Sequence, residues 1–155
     1  MTVLNYIKSI GLLLSGGLLL GASTTSMTET KLIKGETDHV REIVDGDTLF
    51  LSSGLKVRLS GMQAPKLSLG RDHVTDWPLG HEAKSALKEL ALEQLVTLYY
   101  GGERRDRDGR ALAQIFKGRD ESGLYLQEEM LRRGLARVYT WPDTFQDSGL
   151  SLIHI

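Results

Sequence analysis

Apolar and polar residues alternate in two runs, Ile43–Leu51 and Leu55–Leu59, which is the period of half-buried strands. Between them Ser52-Ser53-Gly54 supplies a hairpin turn, since Gly takes a positive φ without steric cost. Asp45-Gly46-Asp47-Thr48 interrupts the first run, and a bulge or tight bend is expected at Gly46. Such a bend aims two short carboxylates at one point, and Arg58 follows on the next strand. Taken alone, the stretch fits a plain hairpin with a solvated Arg as well as it fits a site.

Further along the chain the period changes. Ala83, Ala86, Leu87, Leu90 and Ala91 form one apolar face and predict a helix over about His81–Glu93. In its first turn His81 reads as a surface residue and Glu82 as a partner of the helix dipole. Val96–Tyr100 and Arg110–Phe116 read as strands, with Tyr99, Tyr100 and Phe116 as core or sheet wall. A second helix is expected over about Leu124–Arg133. Gly134 would be its left-handed C′ residue, with Leu135 folding back on Met130. Trp77 and Trp141 each precede a Pro and read as turn staples or exposed rings.

Composition narrows the classes. A chain of 155 residues with 41% hydrophobic and 25% charged residues is globular and long enough for one domain with a substantial core. Lys and Arg number 19 against 20 Asp and Glu, so bulk charge does not hold nucleic acid. A local cluster such as Arg104, Arg105, Arg107 and Arg110 would have to, although most of its members read as a solvated loop. The absence of cysteine excludes disulfides, thiolate zinc sites and a cysteine nucleophile.

Residues 1–23 have the pattern of a secretory signal peptide: Lys8, an apolar Gly-interrupted stretch from Ile10 to Ala22, and small residues at Gly21-Ala22-Ser23. Ser23 stands where a bacterial lipoprotein carries its lipidated Cys, which argues against lipidation. An uncleaved anchor is the alternative. Residues 24–38 read as a polar linker, 39–142 as the folded domain and 143–155 as a truncated tail. The final six residues, Leu150 to Ile155, match a reading frame of a transposon adaptor used in DNA library preparation. They are expected to be read-through.

Asp45-Gly46-Asp47-Thr48, Arg58, Pro65, a helix, Asp106-Arg107-Asp108-Gly109-Arg110 with its following apolar run, and Gly123 to Tyr139 recur in an order that resembles the staphylococcal-nuclease-like (thermonuclease) family. The resemblance covers about Val40 to Tyr139. It implies a mostly β, α+β fold: a five-stranded OB-fold barrel with two helices packed on it, the family's C-terminal helix being truncated here. Ala136–Tyr139 would extend along the barrel. The implied chemistry is calcium-assisted hydrolysis of DNA and RNA phosphodiesters. Carried over by motif, Asp47 is a metal ligand, and Arg58 and Arg110 are catalytic forks on the phosphate oxygens, a task that suits guanidinium. Asp45 is weighted as a turn residue over an outer-shell carboxylate.

The chain departs from the family in one loop. There the family reads Asp-Thr-Pro-Glu, with the Asp a second calcium ligand and the Glu the proposed general base. Here the loop is Gln63-Ala64-Pro65-Lys66. Gln63 still offers a neutral oxygen, making it a doubtful metal ligand, while Lys66 takes no proton from water unless neutral and counts instead as phosphate-binding. A lysine about 5 Å from a divalent ion costs about 7 kcal/mol at an effective dielectric near 20. A millimolar calcium site is worth only about 4 kcal/mol. The calcium site is therefore expected to be weak or vacant unless Lys66 swings away.

Two function classes follow. One is a secreted or periplasmic nuclease with weakened or lost catalysis. The other is a non-catalytic OB-type module that binds nucleic acid, a phosphate or a protein partner. A monomer with no stable membrane association after signal cleavage is expected. No row of aromatics interleaved with basic residues stands out in the sequence.

Overall fold

The structure is a computed structural model that describes residues 31–139. The expected signal peptide, the first part of the linker, Trp141, the tail and the adaptor-like hexapeptide lie outside the described residues. Among the described residues, seven strands and two helices run in the order β1 (Ile33–Ile43), β2 (Thr48–Leu51), β3 (Lys56–Leu59), β4 (Met62–Gln63), α1 (Gly80–Ala91), β5 (Leu95–Tyr100), β6 (Ala111–Lys117), α2 (Leu126–Arg132) and β7 (Arg137–Val138). Five of them close a barrel in the order β1-β2-β3-β6-β5. This is the OB-type barrel with two helices that the resemblance implied.

Alternation builds the barrel. Leu49 and Leu51 on β2, Val57 and Leu59 on β3, Val96 and Leu98 on β5, and Ala113 and Ile115 on β6 point inward and are buried. A period of two then sends Thr48, Phe50, Lys56 and Arg58 to the other face of β2 and β3. Thr48 pairs with Arg58 and Phe50 with Lys56 across the hairpin. Closure comes from a parallel contact, Arg58 opposite Leu112 between β3 and β6. The hairpin turn falls where expected, with Gly54 at φ 87°.

Strand β1 departs from the sequence reading. Residues 33–38, read as linker, form the first half of this strand and pair with β5. They show no apolar alternation because that half of β1 is mostly exposed, held by its backbone ladder to β5 and by the Thr37–Thr97 hydroxyl contact at 2.9 Å. Val40 and Ile43 supply its buried anchors.

Helix α1 buries Ala83, Ala86, Leu87, Leu90 and Ala91, the expected face. It ends at Ala91, before the expected Glu93, because Leu92 is extended and Glu93 takes φ 61°. Helix α2 starts after the extended Tyr125 and closes in a Schellman motif. In that motif Leu135 N–H donates to Met130 C=O at 3.0 Å, Gly134 N–H to Leu131 C=O at 2.9 Å, and Gly134 has φ 67°. Gln127, fully buried, ties α2 to β6: its Oε1 accepts the Ile115 N–H at 3.1 Å and its Nε2 donates to Ala113 C=O at 2.9 Å. Those bonds satisfy a polar side chain that would otherwise be costly in the core.

The segment after Gly134 also departs from expectation. Residues 136–139 do not extend the barrel: β7 pairs antiparallel with β4 in a separate two-stranded sheet, placing Arg137 opposite Gln63. The Schellman turn reverses the chain toward β4, and Tyr139 N–H donates to Gly61 C=O at 2.9 Å.

Candidate phosphate-binding site

The turn between β1 and β2 is built by its own side chains. Asp45 Oδ1 accepts the Asp47 N–H at 3.0 Å, so Asp45 is a turn former, as weighted from the sequence. Gly46 is required here for space and not for a left-handed φ. A Cβ at that position would lie 2.6 Å from the Ala64 Cβ and 2.7 Å from the Ala83 Cβ. The turn is therefore wedged between the β4 loop and α1, and the packing of α1 fixes where Asp47 sits.

Asp47 is buried with a relative exposure of 7%. Its Oδ1 accepts the Thr48 hydroxyl at 2.9 Å and its Oδ2 accepts the Ala64 N–H at 3.1 Å. Burial, and then the neighbouring Asp45 carboxylate, push its pKa up to about 6. Arg58 pulls the other way, as do the Ala64 N–H and the Thr48 hydroxyl. Asp47 and Arg58 thus belong to one electrostatic site. Among the described residues, the half-buried Arg58 makes no side-chain hydrogen bond and no ion pair.

Arg110 stands at the start of β6, one residue before the parallel pairing with β3 begins. Its guanidinium is bracketed: Nε donates to Asp106 Oδ2 at 2.7 Å and Nη2 to Asp108 Oδ2 at 3.0 Å. Burial opposes ionisation of Asp106, but hydrogen bonds from the Arg110 backbone and side chain outweigh it and hold that carboxyl below its usual range. The sequence reading missed this clamp. Its signal was present in Asp106-Arg107-Asp108-Gly109-Arg110, since a Gly turn (Gly109 φ 77°) folds the two acids back on the second Arg.

The β4 loop carries the remaining expected residues. Gln63 is nearly buried, and its Oε1 accepts Arg137 Nη2 at 2.8 Å. Lys66 is exposed with Nζ 5.7 Å from the centroid of the half-exposed Trp77 ring, and its C=O accepts the Trp77 N–H at 2.8 Å. His81 is a surface residue, hydrogen-bonded to Asp76 at 2.9 Å. Among the described residues no three His, Asp or Glu side chains converge as a metal-binding group. Arg137 was not singled out from the sequence, because nothing in its local pattern indicates that β7 returns to Gln63.

A family model described as staphylococcal nuclease homologue matches residues 56–151, more than half of the chain. The chain belongs to this family. The matched stretch of this chain takes in Arg58, the Gln63–Lys66 loop, Arg110 and Arg137, while Asp47 lies just upstream. The thermonuclease of Staphylococcus intermedius is 31% identical over 113 residues, covering 71% of this chain and 64% of that protein. The chain therefore spans just under two thirds of that relative's length. The thermonuclease of Staphylococcus hyicus is 28% identical over 139 residues, 83% of this chain and 79% of that protein. A probable staphylococcal-like nuclease of Oryza sativa subsp. japonica is 32% identical over 90 residues, 58% of this chain and 23% of that protein.

Proposed function

We propose that this nuclease-family chain is a secreted protein that binds nucleic acid through its phosphates and in which phosphodiester hydrolysis is weak or lost. The observation that carries the binding half is Arg58. A half-buried guanidinium beside a buried carboxylate, with no hydrogen-bonded partner among the described residues, is a fork ready for a phosphate oxygen. Arg110 supplies a second fork once Asp108, the exposed member of its clamp, gives way to phosphate. Lys66, exposed on the β4 loop beside Trp77, adds a further positive charge.

The weak-catalysis half rests on donor chemistry. Calcium takes roughly six to eight oxygen ligands, most of them anionic in tight sites. Here the Asp47 carboxylate already accepts two hydrogen bonds, the neighbouring Asp45 accepts the Asp47 N–H in the turn, and the Gln63 oxygen is taken by a guanidinium. This donor set does not fit a calcium ion. The loop also carries Lys66 where the resemblance implies a general base, and that ammonium sits on Trp77. A non-catalytic module using the same cleft is the second reading, favoured by the same two residues. In the described residues no helix is long and apolar enough to cross a membrane.

Equilibrium binding tests the reading. Thymidine 5′-monophosphate should bind the full mature chain without metal, weakly and less at high salt. The Arg58→Ala, Arg110→Ala double variant should lose that binding, whereas unchanged binding would put the cleft elsewhere.

A further inference from the structure

The arginines of the fold differ in what meets their charge. Arg110 lies between two carboxylates, and Arg133, the C-cap of α2, reaches Glu129 at 2.9 Å and Glu89 at 3.4 Å. Those positive charges are answered within the protein. Arg137 is different, because its side-chain acceptor is the neutral amide oxygen of Gln63 and no carboxylate among the described residues lies within ion-pair distance. A guanidinium bonded to an amide is held in place and keeps its full charge.

The placement of that charge follows from three contacts. Gln63 is nearly buried and stands opposite the exposed Arg137 in the β4–β7 register, so backbone pairing sets the seat. The next residue, Ala64, donates its N–H to Asp47 Oδ2, which ties the seat to the carboxylate facing Arg58. On its other side Arg137 packs against Tyr139, with Cζ 5.9 Å from the ring centroid. One Nη2–H is used on Gln63, and among the described residues no other hydrogen-bond acceptor takes the Arg137 fork.

We propose that Arg137, seated on Gln63, is the resident cation of this cleft and holds the phosphate of a nucleic-acid strand together with Arg58, without a divalent ion. The inference rests on the reading of the cleft as a phosphate site and adds a residue that neither composition nor motif singles out. It also gives the neutral Gln63 a role. A carboxylate there would cancel the guanidinium's charge, while an amide positions it and leaves it available.

The test is binding of thymidine 5′-monophosphate and of single-stranded oligothymidylate to the full mature chain, in chelator and in excess calcium. Parent affinity should be the same in both. Arg137→Gln should weaken binding about tenfold in both, the size of one charge-assisted hydrogen bond. Gln63→Leu, which keeps the arginine but removes its seat, should also weaken it several-fold. If Arg137→Gln lowers the urea midpoint, Arg137→Lys decides: loss of the fork with charge retained should still weaken binding, and parental affinity would overturn the proposal. Full binding in Arg137→Gln with loss in Arg58→Ala would refute the role of Arg137 and leave the phosphate reading standing. Calcium-strengthened binding in the parent would make the ion, not Arg137, the cation of the site. Binding indifferent to both arginines would overturn both proposals.

Discussion

Replacing Asp47 by Asn removes a charge that the fold holds at a cost. Burial and Asp45 raise the Asp47 pKa from its usual 3.8 to about 6, after the opposing attraction of Arg58 is included. Between those two pH values the folded chain keeps a proton that the unfolded chain has released. Stability contributed at this position is therefore full below pH 3.8 and falls as pH rises through about 6. The gap corresponds to about 3 kcal/mol as an order of magnitude, and the 7% exposure of Asp47 leaves little solvent to screen it.

Asparagine suits the same geometry. Its Oδ1 can accept the Ala64 N–H, now at 3.1 Å from Oδ2 of Asp47, and its Nδ2 can donate to the Thr48 hydroxyl. Urea unfolding of parent and Asp47→Asn at a series of pH values should therefore show two curves that diverge. The variant should gain on the parent by up to about 3 kcal/mol between pH 4 and 7, with the same dependence on urea. Groups away from the site cancel in the difference, and Asp45, which couples to Asp47, is the acid beside it that the substitution also touches. Parallel curves across that range would mean that Asp47 is not held at a raised pKa, and the electrostatic picture of the site would be wrong.

The remaining predictions concern the turn and the loop. Gly46→Ala should cost about 1–3 kcal/mol, because its Cβ would meet those of Ala64 and Ala83 at 2.6 and 2.7 Å, and Ala83→Gly should recover part of the loss in urea unfolding. If Gly46→Ala is neutral, α1 is not wedged against the turn. Gln63→Asp with Lys66→Glu adds two carboxylates and should raise calcium-dependent cleavage of single-stranded DNA over the parent. Each single variant should gain much less, since ligand and base act as a unit. Equal calcium binding and equal cleavage by parent and double variant would show that this loop is not the obstacle.

The barrel was legible because its determinants are local. Leu49, Leu51, Val57 and Leu59 alternate strictly, and the apolar face of α1 repeats at helical spacing. The C′ role of Gly134 was legible for the same reason. Strand β1 was not, because its first half is exposed and is defined by a backbone ladder to β5, a contact across some 60 residues of sequence. The candidate site was legible residue by residue but not in its connections. Asp47 and Arg58 could be named from motif and hairpin spacing, yet the acids around Arg110 and the seat of Arg137 on Gln63 depend on where loops return. A tight bend at Gly46 was legible, but the steric crowding by α1 and Ala64 that demands glycine there appears only once the helix is docked.

Nuclease activity of the full mature chain, assayed with calcium, manganese and chelator in parallel on single-stranded DNA, separates phosphate binding from turnover. Slow or absent cleavage that calcium does not raise is expected, alongside phosphate binding that survives chelation. Fast cleavage that requires calcium and disappears with chelator would contradict it, and would mean that Asp47 and Gln63 hold the ion after all.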